Sequence, residues 1–295
     1  MDRQLLDDIK WMIVALGLAA LMSGCESTKK KPPGVTPEGR EKAAKTQALE
    51  AGAALLQSQA PLRAMDIYLS GFHVAKRDPS HQTEAHHYCR QVNEDFAQCV
   101  LFDGNTKDAN LIGIEYIISE TLFESLPSRE KRYWHPHNYE ILSGQLTAPG
   151  IPDAAEKELM KGKMNSYGKT WHVWNSAPFG KRGDTLPLGG PILEWSFNRD
   201  GEAMPGLIEE RDRRLGTDIV QERLKRQDLV PLAKPQSGVD VLKNKFYRPT
   251  RSIPGVMNKN GRVSRTTGSG DRLSYEPWPS SRKRPSDEQQ THRSD

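Results

Sequence analysis

The feature that most limits what this chain can fold into is the uneven distribution of its apolar residues. Hydrophobic residues make up 36% of the 295 residues, which is low for a core of that size. The shortage falls at the two ends, because residues 26–38 and 231–295 are rich in Lys, Pro, Gly, Ser and Arg and have almost no apolar periodicity. We therefore predict one packed domain, residues 39–228, followed by a basic, disordered C-terminal tail, residues 229–295.

An uninterrupted apolar run near the N-terminus is typical of a secretory leader. It extends from Trp11 to Met22, follows Lys10, and is shorter than the roughly 20 residues that a membrane-spanning helix needs. A serine and a glycine then precede Cys25, and this pattern resembles the bacterial lipobox. It predicts a lipoprotein signal peptide, residues 1–24, and a diacylated Cys25, whose two acyl chains would anchor the chain stably. An uncleaved anchor or a buried apolar helix is the alternative.

The predicted anchor places the rest of the chain in the cell envelope. Residues 25–38 would form a flexible tether, and Glu26 is not the aspartate of inner-membrane retention signals, so the outer membrane is favoured over the inner membrane. From residue 231 onward there are 13 Lys plus Arg against 6 Asp plus Glu. An exported basic tail would meet anionic lipid or lipopolysaccharide, and no nucleic acid partner is expected. A solvated tail without a dedicated partner is the alternative.

The spacing of apolar residues in the middle of the chain predicts an α+β fold. Segments rich in branched and aromatic residues and separated by turn signals predict strands at 68–75, 84–92, 96–102 and 111–118. The same reasoning predicts two later strands, 169–175 and 191–197, and three helices, 41–59, 153–164 and 205–226. We expect a largely antiparallel sheet with flanking helices. Residues 114–126 also fit a helix, and that alternative stays open.

Two cysteines, Cys89 and Cys99, remain after the predicted lipid site. In an oxidising periplasm they would form a disulfide if neighbouring strands bring them together. Two thiols ten residues apart fit equally well as buried small hydrophobic side chains. Both interpretations stay open at the level of sequence.

Seven motifs stand out in order along the predicted domain. They are P-L-R-A-M-D (61–66), E-A-H-H-Y-C (84–89), N-E-D-F-A-Q-C (93–99), L-I-G-I-E-Y-I-I-S (111–119), W-H-P-H-N-Y-E (134–140), Y-G-K-T-W-H-V-W (167–174) and R-G-D-T-L-P-L-G (182–189). Together they closely resemble the oil body-associated protein family over about 61–216. The resemblance implies lipid association, since plant members associate with lipid storage bodies, and it implies no catalytic mechanism. The lipoprotein-type leader argues against an intracellular lipid-droplet location.

Histidines are concentrated in and beside these motifs, which suggests a metal site. The candidate ligands are His135, His137, Glu140, His172, His86 and His87. In an extended segment His135 and His137 point to one side, and Glu140 approaches from the next turn. Because adjacent side chains of a strand point to opposite faces, at most one of His86 and His87 could join them. Such a set suits zinc, iron or manganese without distinguishing them. Alternatively, the histidines are hydrogen-bonded polar groups of a core, with Glu115, Glu94 or Tyr139 as partners.

Three classes of function remain open. We favour a lipid-anchored envelope protein that binds a lipid or a partner without chemistry; no cofactor is certain, and a divalent metal is the candidate. The alternatives are a metal-dependent enzyme at the membrane face and a polyanion-binding module that uses the tail. The sequence contains no G-x-G-x-x-G, Walker lysine loop, G-x-S-x-G motif or internal repeat, which disfavours nucleotide binding, the commonest serine-hydrolase architecture and repeat folds. Enzymatic activity and substrate are left undecided by the sequence.

Overall fold

A computed structural model describes residues 30–259; Cys25 and the predicted leader, and the tail from residue 260 onward, lie outside the described residues. The helices are α1 (Ala44–Leu56), α2 (Ala60–Arg63), α3 (Glu120–Ser125), α4 (Ser128–Lys131), α5 (Asn138–Leu142), α6 (Asp153–Lys163), α7 (Leu207–Leu215) and α8 (Ile219–Lys225), with a 3-10 helix at Gln227–Leu232. The strands are β1 (Ile67–Ala75), β2 (Asp78–Asn93), β3 (Phe96–Phe102), β4 (Leu111–Ile118), β5 (His135–Pro136), β6 (Tyr167–His172) and β7 (Ile192–Trp195).

The strands form one antiparallel sheet in the order β4-β3-β2-β1-β7-β6-β5. Because β4 also pairs with β6, six strands close into a ring and β5 adds to the side of β6. The predicted α+β class with a largely antiparallel sheet and flanking helices is confirmed. The segment 114–126 divides into the end of β4 and the helix α3, which begins where Ser119 accepts a hydrogen bond from the Leu122 backbone N–H.

Closure gives the sheet an inner face and an outer face. On β3 the residues Ala97, Cys99 and Leu101 are buried, while the residues between them are half-buried, as strand alternation requires. The outer face of β1 is covered as well, since the guanidinium of Arg211 on α7 lies 4.9 Å from the ring centroid of Phe72. Most of β1 and the middle of β2 are therefore buried on both faces.

The predicted helix 205–226 is wrong as a single element, because the structure divides it into α7 and α8. Gly216 ends α7 with a φ of 72°, in the left-handed region that glycine adopts without steric cost. Asp218 then begins α8 by accepting hydrogen bonds from the backbone N–H groups of Val220 and Gln221. Gly216 therefore ends one helix, and Asp218, two residues later, begins the next.

The helices are short and lie outside the ring. The longest among residues 30–259 is α1, with 13 residues and no buried side chain. Among these residues, no helix has both the length and the apolar character to cross a membrane.

The packed domain is longer at its C-terminal end than the sequence predicts. The predicted boundary at 228 is corrected to a position beyond 256, since the main hydrophobic core includes Leu229, Val239, Leu242, Ile253 and Val256. These apolar residues are separated by irregular intervals in a segment containing Pro and Gly. Neither helical nor strand periodicity reveals such packing.

The segment predicted as a flexible tether is also packed, from residue 30 onward. The backbone N–H of Lys31 donates to Asn105 Oδ1 at 2.6 Å, and that of Gly34 donates to Asp103 Oδ2 at 2.8 Å. A Cβ added to Gly34 would lie 2.4 Å from the Cβ of Ala177, so this approach requires glycine. Side-chain acceptors in the loop between β3 and β4 therefore hold residues 30–34 against the domain.

Cys89 on β2 and Cys99 on β3 form a disulfide bond. The register places them directly opposite each other, with their Cα atoms 4.0 Å apart. Neighbouring strands thus bring the two thiols together, which is the condition that the disulfide interpretation requires.

Candidate metal centre

The register of the closed sheet aligns a row of residues on its inner face. Cys89 pairs with Cys99, Cys99 with Glu115, Glu115 with Thr170, and Thr170 with Glu194. Cross-strand partners share a face, so both carboxylates lie inside the ring beside the disulfide. Glu115 is 3% exposed and Glu194 is fully buried. Burial raises the pKa of Glu194 well above its ordinary value, so its neutral form is favoured, whereas an ionised Glu115 requires a partner that offsets its charge.

Five histidines occupy the same interior around Glu115. They are His73 on β1, His87 on β2, His135 on β5, His137 immediately before α5, and His172 on β6. Each is at most 4% exposed. The closed sheet therefore gathers imidazoles from distant parts of the chain around one carboxylate.

One oxygen of Glu115 forms a triangle with two of these histidines, which we call the Oε1 set. His135 Nε2 lies 3.4 Å and His137 Nε2 lies 3.3 Å from Glu115 Oε1, and the two Nε2 atoms are 3.2 Å apart. Ligand atoms at Zn–N and Zn–O distances of about 2.0–2.1 Å lie roughly 3.3–3.4 Å from one another in a tetrahedral site. The Oε1 set therefore matches three corners of such a site.

Gly168 on β6 lies directly against the Oε1 set. It pairs with His135 in the sheet register, and a Cβ added to it would lie 2.2 Å from Glu115 Oε1 and 2.5 Å from His137 Nε2. Any other residue at this position would clash with these two side chains. Glycine therefore lets the backbone of β6 approach the Oε1 set closely.

The other oxygen of Glu115 faces a second pair of histidines, which we call the Oε2 set. His87 Nε2 lies 3.0 Å and His73 Nε2 lies 3.7 Å from Glu115 Oε2, and the two Nε2 atoms are 3.3 Å apart. Within each set, all donor atoms lie within 4.8 Å of one another. Glu115 is the residue that the two sets share.

Hydrogen bonding determines which nitrogen of His137 carries the proton. The hydroxyl of Ser166 donates to the carbonyl oxygen of Lys163 at 2.7 Å, so its Oγ accepts from His137 Nδ1 at 2.8 Å. In the neutral ring, Nε2 then has a lone pair that faces Glu115 Oε1 across 3.3 Å. Two lone pairs at this distance repel each other unless a proton or a metal ion lies between them.

His172 lies behind His73 and outside both sets. The Nε2 atom of His172 is 3.1 Å from His73 Nδ1, and its Nδ1 is 3.5 Å from Glu194 Oε1. This series of contacts leaves His73 Nε2 directed at Glu115. His172 therefore holds the His73 ring through its second nitrogen, the kind of contact that commonly orients metal-ligating histidines.

Burial keeps several of these imidazoles neutral. It lowers the pKa of His137 to about 4 and that of His172 to about 3, and it holds the pKa of His73 well below its ordinary value. Burial alone would raise the pKa of Glu115, but contacts with the surrounding histidines, His135 first, outweigh it and hold that pKa well below its ordinary value. An ionised carboxylate and neutral nitrogen donors are the forms that bind a metal ion.

The structure brings together three of the six predicted ligands, His87, His135 and His137. Glu140 Oε2 lies 3.9 Å from His137 Nε2, farther away than the Glu115 oxygen. Burial, followed by repulsion from Glu115, raises the pKa of Glu140 well above its ordinary value. Glu140 therefore lies beside the Oε1 set without completing it.

His86 points away from the centre, as strand alternation requires for the neighbour of His87. Its Nδ1 lies 2.7 Å from the hydroxyl of Tyr68, and its Nε2 lies 3.2 Å from Glu84 Oε1. Glu84 also pairs with the side chains of Lys31 and Arg214. We call these residues the Glu84 network.

Two central groups, Glu115 and His73, are absent from the predicted ligands. In the sequence Glu115 is considered only as a hydrogen-bond partner of the histidines. The signal that could identify it is its position in the apolar strand L-I-G-I-E-Y-I-I, where alternation places it on the same face as Gly113 and Ile117. An acid on the inner face of an apolar strand indicates a buried partner.

Comparison with known proteins identifies the family. Residues 59–230 match the family described as "Protein of unknown function (DUF1264)". The chain is 38% identical to Oil body-associated protein 2A of Arabidopsis thaliana over 206 residues, and this alignment covers 69% of the chain and 82% of the relative. It is 42% identical over 194 residues to Oil body-associated protein 2B of the same plant, covering 65% and 76%, and 38% identical over 199 residues to Oil body-associated protein 1A of Zea mays, covering 68% and 81%. No solved structure matches the chain significantly. The resemblance carried by the seven motifs is thus confirmed, and the chain belongs to the oil body-associated protein family.

Proposed function

We propose that this protein is a metal-binding member of its family, with a divalent transition-metal ion held by Glu115, His135 and His137. The observation that carries the proposal is the lone pair of His137 Nε2, which faces Glu115 Oε1 across 3.3 Å while Nδ1 donates to Ser166. A cation between these two atoms replaces repulsion by coordination.

A core held by hydrogen bonds alone accounts less well for the Oε1 set. Glu115 Oε1 and His137 Nε2 carry no proton, so only His135 Nε2 can donate within the triangle. This one N–H group then has two acceptors, at 3.4 Å and 3.2 Å, and the 3.3 Å contact between Glu115 and His137 stays unfavourable. An ion satisfies all three donor atoms at once.

The ligand set also favours one kind of ion site. Two imidazoles and a carboxylate suit zinc, iron or manganese. Three protein ligands leave a fourth tetrahedral position for water or for a substrate atom, as at catalytic zinc sites, whereas structural zinc sites have four protein ligands. The arrangement therefore favours a metal-dependent activity over a purely structural ion.

The test is the metal content of the purified full chain, measured by mass spectrometry of the bound element after gel filtration. His135→Ala together with His137→Ala should lower the content by one equivalent per chain. His81→Gln together with His86→Gln is the matched control, because it removes two histidines that lie outside both sets, and it should retain the metal. Glu115→Gln preserves the side-chain volume and should also lose the ion. A folded wild-type chain that takes up no zinc, iron or manganese overturns the proposal.

We further propose that the chain is anchored in the cell envelope by a lipid on Cys25, with the outer membrane favoured, so that the metal centre lies at a membrane face. Support comes from the apolar run before Cys25 and from relatives whose names describe association with oil bodies. Cys25→Ser expressed with a labelled fatty acid should lose the label and membrane association. Cys89→Ser together with Cys99→Ser retains Cys25 and should keep both. Label that persists in Cys25→Ser contradicts the anchor.

The basic tail is proposed to contact anionic lipid or lipopolysaccharide. Truncation after Lys259 keeps the described core and removes 7 Lys plus Arg against 5 Asp plus Glu, so the salt-sensitive part of binding to anionic vesicles should weaken. Unchanged binding by the truncated chain contradicts this role.

A further inference from the structure

The Oε2 set, formed by Glu115, His73 and His87, is not used by the ion proposed above. Its two nitrogens are 3.3 Å apart, and they lie 3.7 Å and 3.0 Å from Glu115 Oε2. Such separations are again close to those between ligands of one tetrahedral ion, which are roughly 3.3–3.4 Å. The carboxylate thus presents one oxygen to each pair of histidines.

A single ion cannot serve both pairs. Two ligands of one ion lie at most about 4.2 Å apart, which is twice a metal–nitrogen distance of about 2.1 Å. The histidines nevertheless fall into two separate sets even when separations of up to 4.8 Å are allowed, and Glu115 alone belongs to both. The geometry therefore contains two ion positions rather than one enlarged position.

The His73 ring is held in the orientation that a ligand needs. Its Nδ1 lies 3.1 Å from His172 Nε2, and His172 Nδ1 in turn lies 3.5 Å from Glu194 Oε1. With Nδ1 engaged, His73 Nε2 faces His87 and Glu115. Metal-binding imidazoles are commonly held through their second nitrogen, as His73 is held by His172.

We propose that the centre is dinuclear, with two divalent transition-metal ions bridged by the carboxylate of Glu115. His135 and His137 hold one ion on Oε1, and His73 and His87 hold the other on Oε2. This inference rests on the proposed function, because the first ion is the one assigned there. Ions that share a bridging ligand in proteins are roughly 3.5–4 Å apart, which places both within reach of one small substrate group such as a phosphate or carboxylate.

Metal stoichiometry tests the second ion separately from the first. The full chain is stripped with a chelator, loaded with Co²⁺ or Zn²⁺, and analysed for bound metal after gel filtration. The wild type should bind two equivalents per chain, and His73→Ala together with His87→Ala should bind one. The control, His81→Gln together with His86→Gln, should bind two.

Each outcome decides between the two proposals. One equivalent in the wild type overturns the dinuclear centre and leaves the proposed function standing, whereas no bound metal overturns both. Two equivalents retained in the His73 and His87 variant also overturn the dinuclear centre, since the second ion then binds elsewhere.

A second measurement is independent of whether that variant folds. In the wild type loaded with Mn²⁺, two bridged ions should give the electron paramagnetic resonance spectrum of a spin-coupled pair. Uncoupled Mn²⁺ at full occupancy contradicts the bridge.

Discussion

Two buried carboxylates, Glu84 and Glu115, lie in the same sheet, and both contact histidines. Glu84 is also paired with two fixed cations, Lys31 and Arg214. All ion-pair contacts of Glu115 with described residues involve histidines. The Glu84 network therefore contains fixed cations that offset its carboxylate, whereas the Oε1 and Oε2 sets surround their carboxylate with histidines and include no lysine or arginine.

The comparison also shows how little sequence distance separates the two environments. His86 belongs to the Glu84 network and His87 to the Oε2 set, because adjacent residues of β2 point to opposite faces. The same residue type is thus a hydrogen-bonded structural group on one face and a candidate ligand on the other. What decides its role is the partner that the fold places opposite.

The largest effect on stability should come from removing a fixed cation from the Glu84 network. Arg214→Ala leaves Glu84, which is 5% exposed, with less compensation for its buried charge and should lower the free energy of unfolding by about 3 kcal/mol. Urea unfolding of the chelated chain measures this value. Arg213→Ala, on the exposed side of the same helix, is the matched control and should change it by less than about 0.5 kcal/mol. Metal content should stay at the wild-type level in both variants. Its loss in Arg214→Ala would show that the Glu84 network and the metal centre are not independent.

A comparable effect should appear as pH dependence, in a window that separates the contribution of His137 from that of Glu84. Burial lowers the pKa of His137 to about 4, so the unfolded chain takes up a proton between pH 6.5 and 4 that the folded chain does not. Stability is therefore highest above pH 6.5 and falls as the pH drops, by about 3 kcal/mol for this group. The pKa of Glu84 is lowered instead, mainly by its contacts with His86 and Lys31 against the effect of burial, so its contribution is present above pH 4.5 and is lost only below that value.

Unfolding free energies of the metal-free chain, measured between pH 4.5 and 6.5, test this difference between His137 and Glu84. His137→Gln should reduce the slope by up to about 1.4 kcal/mol per pH unit, which corresponds to one proton. Glu84→Gln should not reduce the slope, because burial lowers the pKa of His86 and the contacts with Glu84 oppose that effect, so their loss lowers the pKa further. An equal loss of slope in both variants would mean that the two carboxylates share one electrostatic environment.

The smallest effect concerns the group that orients His137. Ser166→Ala removes the acceptor for His137 Nδ1 and should weaken metal affinity by about 10- to 100-fold, as changes to such supporting groups commonly do. Competition with a metal indicator measures the affinity. Ser125→Ala removes a hydroxyl on α3, outside the centre, and should leave the affinity unchanged. In the metal-free chain, nitrogen-15 NMR should detect the His137 proton on Nδ1 in the wild type, and a proton on Nε2 instead would contradict the assigned tautomer.

Much of the fold could be predicted because its signals are local. The strands Phe96–Phe102 and Leu111–Ile118 have the predicted bounds, since turn residues flank each one. The packing of Leu229 and Val256 could not be predicted, because these side chains are buried by distant parts of the chain without any periodic pattern of their own. The same reason explains why residues 30–34, which are rich in Lys and Pro, are held by side chains far along the chain.

The candidate site, like the fold, could be predicted only where its signals are local. Local pattern was enough to select His135 and His137 as a pair and to state that only one of His86 and His87 could join them, because the direction of a side chain along a strand is a property of the backbone. The central role of Glu115 depended on the closure of β4 onto β6, which places it opposite Thr170 and within 3.0–3.7 Å of four histidines. Register between strands depends on the packing of the whole sheet, so no short stretch of sequence specifies which donor atoms meet.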